Sequence, residues 1–234
     1  MADYGSNKVA APISVKRALF SLTLYLPLGI VGTSLMAQES NSSARILDAA
    51  LTVFSKKGYD AASTREICAL AGISKPTLYY FYESKEGIYR ALLQSTLGEF
   101  LQIVDEAFAA KCAFRGRCRK LAELMFEHSQ RNPRRGRFVF SVFWSPNAPF
   151  AGEIHASYHE GVQRIANAAA AAVKAGEIRR GDPQTRMLVL MGALAEAMSN
   201  FLVMGTPKLT RKLAYSIIDT VLDGWQPVKT GTKA

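Results

Sequence analysis

Between Ser63 and Tyr82 the chain reads STREICALAGISKPTLYYFY. Lys75, Thr77, Tyr79 and Tyr80 there carry groups that bind a polyanion. A lysine ammonium reaches a phosphate or a guanine edge. Threonine and tyrosine hydroxyls bond phosphate oxygens, and a threonine methyl meets a thymine methyl. A helix N-terminus adds backbone amides that favour phosphate. Together these are the means of gripping a DNA groove. They work only if one short helix presents them at a fixed angle.

The neighbouring residues supply that helix. Ser63 and Glu66 have the spacing of a capping box, which opens a helix at Thr64. Ile67, Leu70 and Ala71 read as its inward face. Gly72 turns the chain, because glycine tolerates positive φ. Ser74 caps a second short helix from Lys75 to about Tyr82, with Pro76 in the first turn, where no amide donor is needed. Ile67, Leu70, Ile73 and Leu78 are expected to lock the pair together. The spacing is that of a helix-turn-helix over residues 63–82, whose second helix enters the major groove. A preceding helix carries Ile46, Leu47, Ala50, Leu51 and Phe54 on one face. Asn41, Ser42 or Ser43 is expected to cap it, and Gly58 to end it. Ser84 caps a long fourth helix bearing Ile88, Leu92, Leu93, Leu97, Phe100, Leu101, Val104 and Phe108.

These residues carry a family resemblance. Arg45-Ile46-Leu47-Asp48-Ala49-Ala50-Leu51, Phe54 through Tyr59, Thr64-Arg65-Glu66-Ile67, Ala71 through Tyr80 and Ser84-Lys85-Glu86-Gly87 resemble the TetR family of bacterial regulators over about 50 contiguous residues. The resemblance implies an N-terminal DNA-binding domain, a C-terminal effector domain and a working homodimer on a palindromic double-stranded operator. It implies that Thr64 and Arg65 meet the DNA backbone, with Arg65 in reach of a base. It implies that Lys75, Pro76 and Thr77 face base edges, that Tyr79 and Tyr80 clamp phosphates, and that Lys85 holds another. The chain departs from the family at Phe81-Tyr82, where His-Phe is usual. That removes a possible phosphate donor, and the Tyr82 hydroxyl needs a partner to pack.

Beyond residue 93 the periodicity stays helical, over 116–131, 133–145, 151–175, 183–203 and 208–224. No alternating strand pattern stands out. The fold class is therefore all-α: a three-helix DNA-binding domain at 42–93, joined to a larger helical effector-binding and dimerisation domain at 94–234. Met125, Phe140, Phe143, Trp144, Tyr158, Met191 and Met198 concentrate adaptable apolar side chains in that second domain and are candidates to line a small-molecule pocket. The last two helices combine Leu188, Met191, Leu194 and Ile218 with Gly192, Ala193, Ala195 and Ala197. Such a pair suits a four-helix bundle with a second copy across a two-fold axis.

Other constellations were weighed against that reading. His155 and His159 stand one helical turn apart, yet no HExxH accompanies them. They read as structural or solvated, and neither a metal nor a cofactor is expected. Residues 111–137 hold nine basic and two acidic residues, a local +7. This reads as a solvated basic face; the alternatives are long-range attraction of DNA and capture of an anionic effector such as an acyl-thioester. The whole chain of 234 residues has a net charge of +10, which suits a polyanionic partner. Cys68, Cys112 and Cys118 lack metal or disulfide spacing and read as reduced thiols. No nucleophile elbow, phosphate-cradling glycine loop or paired carboxylates beside a histidine stands out, so an enzyme is not expected.

Residues 1–41 form a different N-terminal extension. Lys16 and Arg17 precede an uncharged stretch from Ala18 to Ala37, long enough to span a bilayer and followed by a Leu35-x-Ala37 cleavage-like pattern. This raises a second reading, a membrane-anchored or exported helical protein. Taken literally, it would place the DNA-reading motif across the membrane from chromosomal DNA. The motif is the more specific signal. The expectation is therefore a cytoplasmic protein with no membrane partner, whose synthesis begins at Met36.

Overall fold

The structure is a computed structural model that describes residues 31–143, 145 and 149–225. The described residues form α-helices and no strands. They are α1 (Val31–Ala61), α2 (Thr64–Ala71), α3 (Lys75–Tyr82), α4 (Lys85–Ala109), α5 (Phe114–Arg131), α6 (Pro133–Phe143), α7 (Ala151–Lys174), α8 (Pro183–Met204) and α9 (Arg211–Asp223). Most of the Ala18–Ala37 stretch lies outside the described residues.

Two expectations about α1 have different outcomes. Asn41, Ser42 and Ser43 do not cap it, because the helix already runs through them from Val31, so their amides sit in mid-helix. Gly58 does break it: φ 74° and ψ 179° take the chain out of helical geometry. Residues 41–234 form one compact unit, distinct from residues 1–40.

The second unit has two apolar clusters. One gathers Ile46, Ala50 and Phe54 of α1, Ile67 and Ala71 of α2, Leu78 of α3, and Ile88 and Leu92 of α4. Phe138 and Val142 of α6 and Ile154 of α7 complete it. The DNA-reading residues thus fold on a core that borrows side chains from far along the chain. Phe138 is only 1% exposed and packs edge-on against Tyr89, with ring centroids 5.5 Å apart. Full burial of such a side chain contributes about 1.5–3 kcal/mol. The other cluster joins Val104 of α4, Leu121 and Phe126 of α5, Ile165 of α7, Leu190 and Leu194 of α8 and Ile218 of α9. α8 is long and apolar enough to cross a membrane. In this fold, however, Met187, Leu190, Met191, Leu194, Met198 and Leu202 are buried against its neighbours.

Candidate nucleic-acid interface and ligand cavity

α2 opens on the expected capping box. Ser63 Oγ accepts the Glu66 amide at 3.2 Å, and Glu66 Oε2 accepts the Ser63 amide at 3.3 Å. Lys57 of α1 also pairs with Glu66. The hydrogen bond from Lys57, followed by that from Ser63, holds the Glu66 carboxyl below its ordinary value. α2 ends at Gly72, whose φ of 62° and ψ of 44° are left-handed. A Cβ there would stand 2.8 Å from Arg45 Nη2. Glycine is thus needed for conformation, and an added Cβ would push aside the flexible end of Arg45. Arg45 uses that approach to donate to the Ala71 and Gly72 carbonyls, tying α1 to the turn.

α3 starts on Ser74, whose Oγ accepts the Thr77 amide at 3.3 Å, with Pro76 in the first turn. Leu78 anchors the helix at 0% exposure. Lys75, Pro76, Tyr79 and Tyr80 are exposed, Tyr80 to 72%, and Thr77 is half-buried. Arg65 is exposed in the first turn of α2. Thr64 Oγ1 lies 3.4 Å from the Tyr79 hydroxyl, so one contact links the start of α2 to the outer face of α3. The Tyr82 hydroxyl has the partner its packing requires: Ser43 Oγ at 2.7 Å.

Three sequence expectations need correction. Leu70 is 57% exposed and locks nothing. The buried face of α2 is Ile67, Cys68 and Ala71, whereas Leu70 borders a surface gap beside Arg45 and Arg134. Lys85 does not point its ammonium at solvent. Its Nζ donates to the carbonyls of Tyr59 at 2.8 Å, Ala62 at 3.1 Å and Asp60 at 3.3 Å, and lies 4.3 Å from the Tyr59 ring centre. Its donors meet three carbonyls where α1 ends, one of which, that of Tyr59, also accepts the Ala62 amide, so Lys85 serves to close that helix. Nor is the 111–137 segment an open basic face. Arg115 and Arg119 pair with Asp219, Lys120 with Glu106, Arg131 with Glu127, Arg134 with Asp48 and Arg135 with Glu99. Four of those five acids lie outside the segment, which is why the local sequence sum was misleading.

A cavity of about 150 Å³ lies within the helical body. Its wall includes Met125, Phe140, Phe143, Tyr158, Met191 and Met198. Trp144 lies outside the described residues. The sequence reading missed Phe100 and Ile103 from α4, and the polar members Thr96, His128, Ser129 and Arg135. Period alone cannot tell the inward face of α4 from its cavity face. Burial pushes the Tyr158 hydroxyl pKa up, so this phenol stays neutral. Behind the wall Glu99 bonds Arg135, with Oε2 3.3 Å from His128 Nε2. Burial raises the Glu99 carboxyl pKa, but His128 and Arg135 outweigh burial and leave it below the ordinary range. His155 packs on Phe143 at 4.9 Å, and no cluster of three metal-ligating side chains occurs among the described residues. Cys68 and Cys118 are buried, and burial pushes the Cys118 thiol up to about 12.

Comparison with known proteins places this geometry. Residues 46–92 match the family model of bacterial regulatory proteins, tetR family. The transcriptional activator FasR of Mycolicibacterium smegmatis is 34% identical over 96 residues, 41% of this chain and 44% of FasR. The transcriptional regulator RutR of Escherichia coli is 32% identical over 144 residues, 59% of this chain and 65% of RutR. The chain thus spans less than two-thirds of the length of either relative. In fold, the fatty acid degradation regulator FadR of Bacillus halodurans superposes with a TM-score of 0.69 at 18% identity, over 78% of this chain and 99% of that one. FadR of Bacillus subtilis, solved in complex with stearoyl-CoA, gives 0.68 at 18% identity, over 77% and 98%. The capping box, the left-handed Gly72 turn and the exposed third helix all fall inside residues 46–92, the segment that matches the TetR family model.

Proposed function

We propose that this chain is a sequence-specific, DNA-binding transcription regulator, a repressor released by a small-molecule ligand. It works as a cytoplasmic homodimer on a palindromic operator. The observation that carries the reading is the division of α3: Leu78 fastens it to the core while Lys75, Pro76, Tyr79 and Tyr80 face solvent. That is the disposition a major-groove helix requires. Thr64, Arg65 and Thr77 support it from the edges. The domain at 42–93 reads DNA, and the body at 94–234 binds the effector and the second copy.

The cavity supports the release step. Its wall uses α4 and α6, and both helices also feed the apolar core beneath the DNA-reading residues. A ligand that prefers one arrangement of these helices shifts the spacing of the two DNA-reading domains by its differential affinity. The Bacillus subtilis relative was solved with stearoyl-CoA. The cavity here, about 150 Å³, has room for one benzene ring and not for a long acyl chain. The test is selection of duplexes from random DNA by the full chain. Recovery of an inverted repeat bound in a salt-dependent way is expected. Binding without sequence preference, or none, would reject the proposal.

A further inference from the structure

We infer that the cavity selects a small monocarboxylate, one ring or a chain of about six carbons, whose carboxylate rests on Arg135 and His128. The inference builds on the reading of this cavity as the effector site and names the ligand's chemistry. It starts from which polar groups on the wall still have protons to give. The Thr96 hydroxyl donates to the Leu92 carbonyl at 2.8 Å, and Ser129 donates to Met198 Sδ at 3.2 Å. The remaining polar wall groups are the Arg135 guanidinium, the His128 imidazole and the Tyr158 hydroxyl. The guanidinium can only donate and is always charged, so the polar end of the cavity asks for an acceptor. An amine would face a guanidinium and be repelled.

Glu99 explains how these groups persist without a ligand. A cation beside an apolar wall is costly unless paired. Glu99 is not on the wall; it stands behind, bonded to Arg135 through Nη1 and 3.3 Å from His128. Ser95 Oγ uses the same Nη1 at 3.2 Å. Both contacts therefore fall on one nitrogen, and the other edge of the guanidinium fork matches a planar carboxylate. Glu99 is then a positioning residue that orients both donors.

The rest of the wall sets ligand size and shape. Phe100 stacks on Tyr158 with ring centroids 5.6 Å apart, and Phe143 meets Tyr158 edge-on at 4.9 Å. Met125, Met191 and Met198 add polarisable sulfur that suits an aromatic ring.

Calorimetric titration of the full chain tests this with phenylacetate and hexanoate, against phenylacetamide, 1-hexanol and stearate. The two small carboxylates are expected to bind about tenfold or more tightly than the amide and the alcohol, as expected of a charge-assisted hydrogen bond. Arg135→Gln should erase that preference, bringing hexanoate down to the affinity of 1-hexanol. Should Arg135→Gln lose its cooperative melt, His128→Gln carries the same test. Equal binding of acid and amide would overturn the carboxylate assignment, as would no binding by any probe, and a preference for stearate would overturn the size. Release of a selected duplex by saturating phenylacetate separately tests the effector reading. An acid that binds without releasing DNA would reject that reading and leave the ligand chemistry standing.

Discussion

Arg134 on α6 donates to Asp48 Oδ1 on α1 at 2.8 Å, and its other terminal nitrogen reaches Thr52 Oγ1 at 2.7 Å. The next residue, Arg135, lines the cavity. One step along α6 thus passes from the helix under the DNA-reading motif to the polar end of the cavity. The pair is exposed, 52% and 64% at the side chains, so its loss should cost no more than about 1 kcal/mol of stability. Its value is geometric. Arg134→Ala is expected to leave ligand-free DNA affinity close to wild type and to reduce the factor by which ligand weakens it. Titrations of DNA with and without ligand measure that factor, and an unchanged factor rejects the coupling role.

The outward face of α3 gives a second prediction. Lys75→Ala, Thr77→Ala and Tyr79→Ala should each weaken binding to the selected duplex without altering the melt. If Lys75 meets a base, the loss is about 1–3 kcal/mol and specificity relaxes at one position. If it meets phosphate, affinity falls evenly across sequences and the salt slope drops by about one. Unchanged affinity in all three variants would dismiss α3 as the reading helix.

Lys85 allows the two assignments made for it to be separated. As a closure for α1, Lys85→Met removes the ammonium from the carbonyls of Tyr59, Asp60 and Ala62, leaving Tyr59 only the Ala62 amide. The expected cost is about 1–3 kcal/mol in denaturant melts, with the salt slope of DNA binding unchanged. A phosphate ligand would give the reverse: a stable variant whose salt slope falls by about one.

Lys85 also marks the limit of what sequence can disclose. The capping box at Ser63, the Gly72 turn and the Ser74 cap were legible because each is settled by residues within three or four positions. The partner of Lys85 is 23 to 26 residues away, and nothing local announces an unpaired helix end there. The same holds for Phe138, which completes the DNA-binding core from α6, and for the acids that neutralise residues 111–137. Six of the seven cavity candidates meet at one wall because aromatic and methionine content is a composition signal. Leu70 was misplaced because α2 is two turns long. On so short a helix, period gives no preference between positions 68 and 70, and Cys68 took the inward place.

Asp219 makes acid stability testable. Arg119 donates to it from two nitrogens, at 3.0 and 2.5 Å, and Arg115 from a third at 2.8 Å, joining α5 to α9. The Arg119 hydrogen bonds lead in holding its carboxyl below the ordinary 3.8. A depressed folded value means the contribution is complete above pH 3.8 and is lost as pH falls through the folded value. Asp219→Asn should therefore melt below wild type at pH 7, and the gap should close as pH drops beneath 3.8. A gap that stays constant down to pH 2 would show that Asp219 stabilises by packing and not by charge.

The last prediction concerns the second copy. Leu188 and Val203 of α8 are 75% and 78% exposed, and Val189 and Met204 are 46% and 65% exposed. Leu188, Gly192, Ser199 and Val203 are offset by 4, 11 and 15 positions, which keeps them on one face of the helix. A Cβ at Gly192 would meet nothing within 4 Å, so the middle of that face is open to a close-packed partner. An isologous contact buries each residue twice, and a charge placed there meets its own copy. Val203→Glu changes an exposed side chain and should leave the monomer's fold intact. Sedimentation should show wild-type dimers and mostly monomers for the variant at the same concentration. Affinity for a duplex with two half-sites should fall steeply, while affinity for a single half-site should not change. A wild-type monomer with full affinity for the two-site duplex would reject α8 as the dimer face.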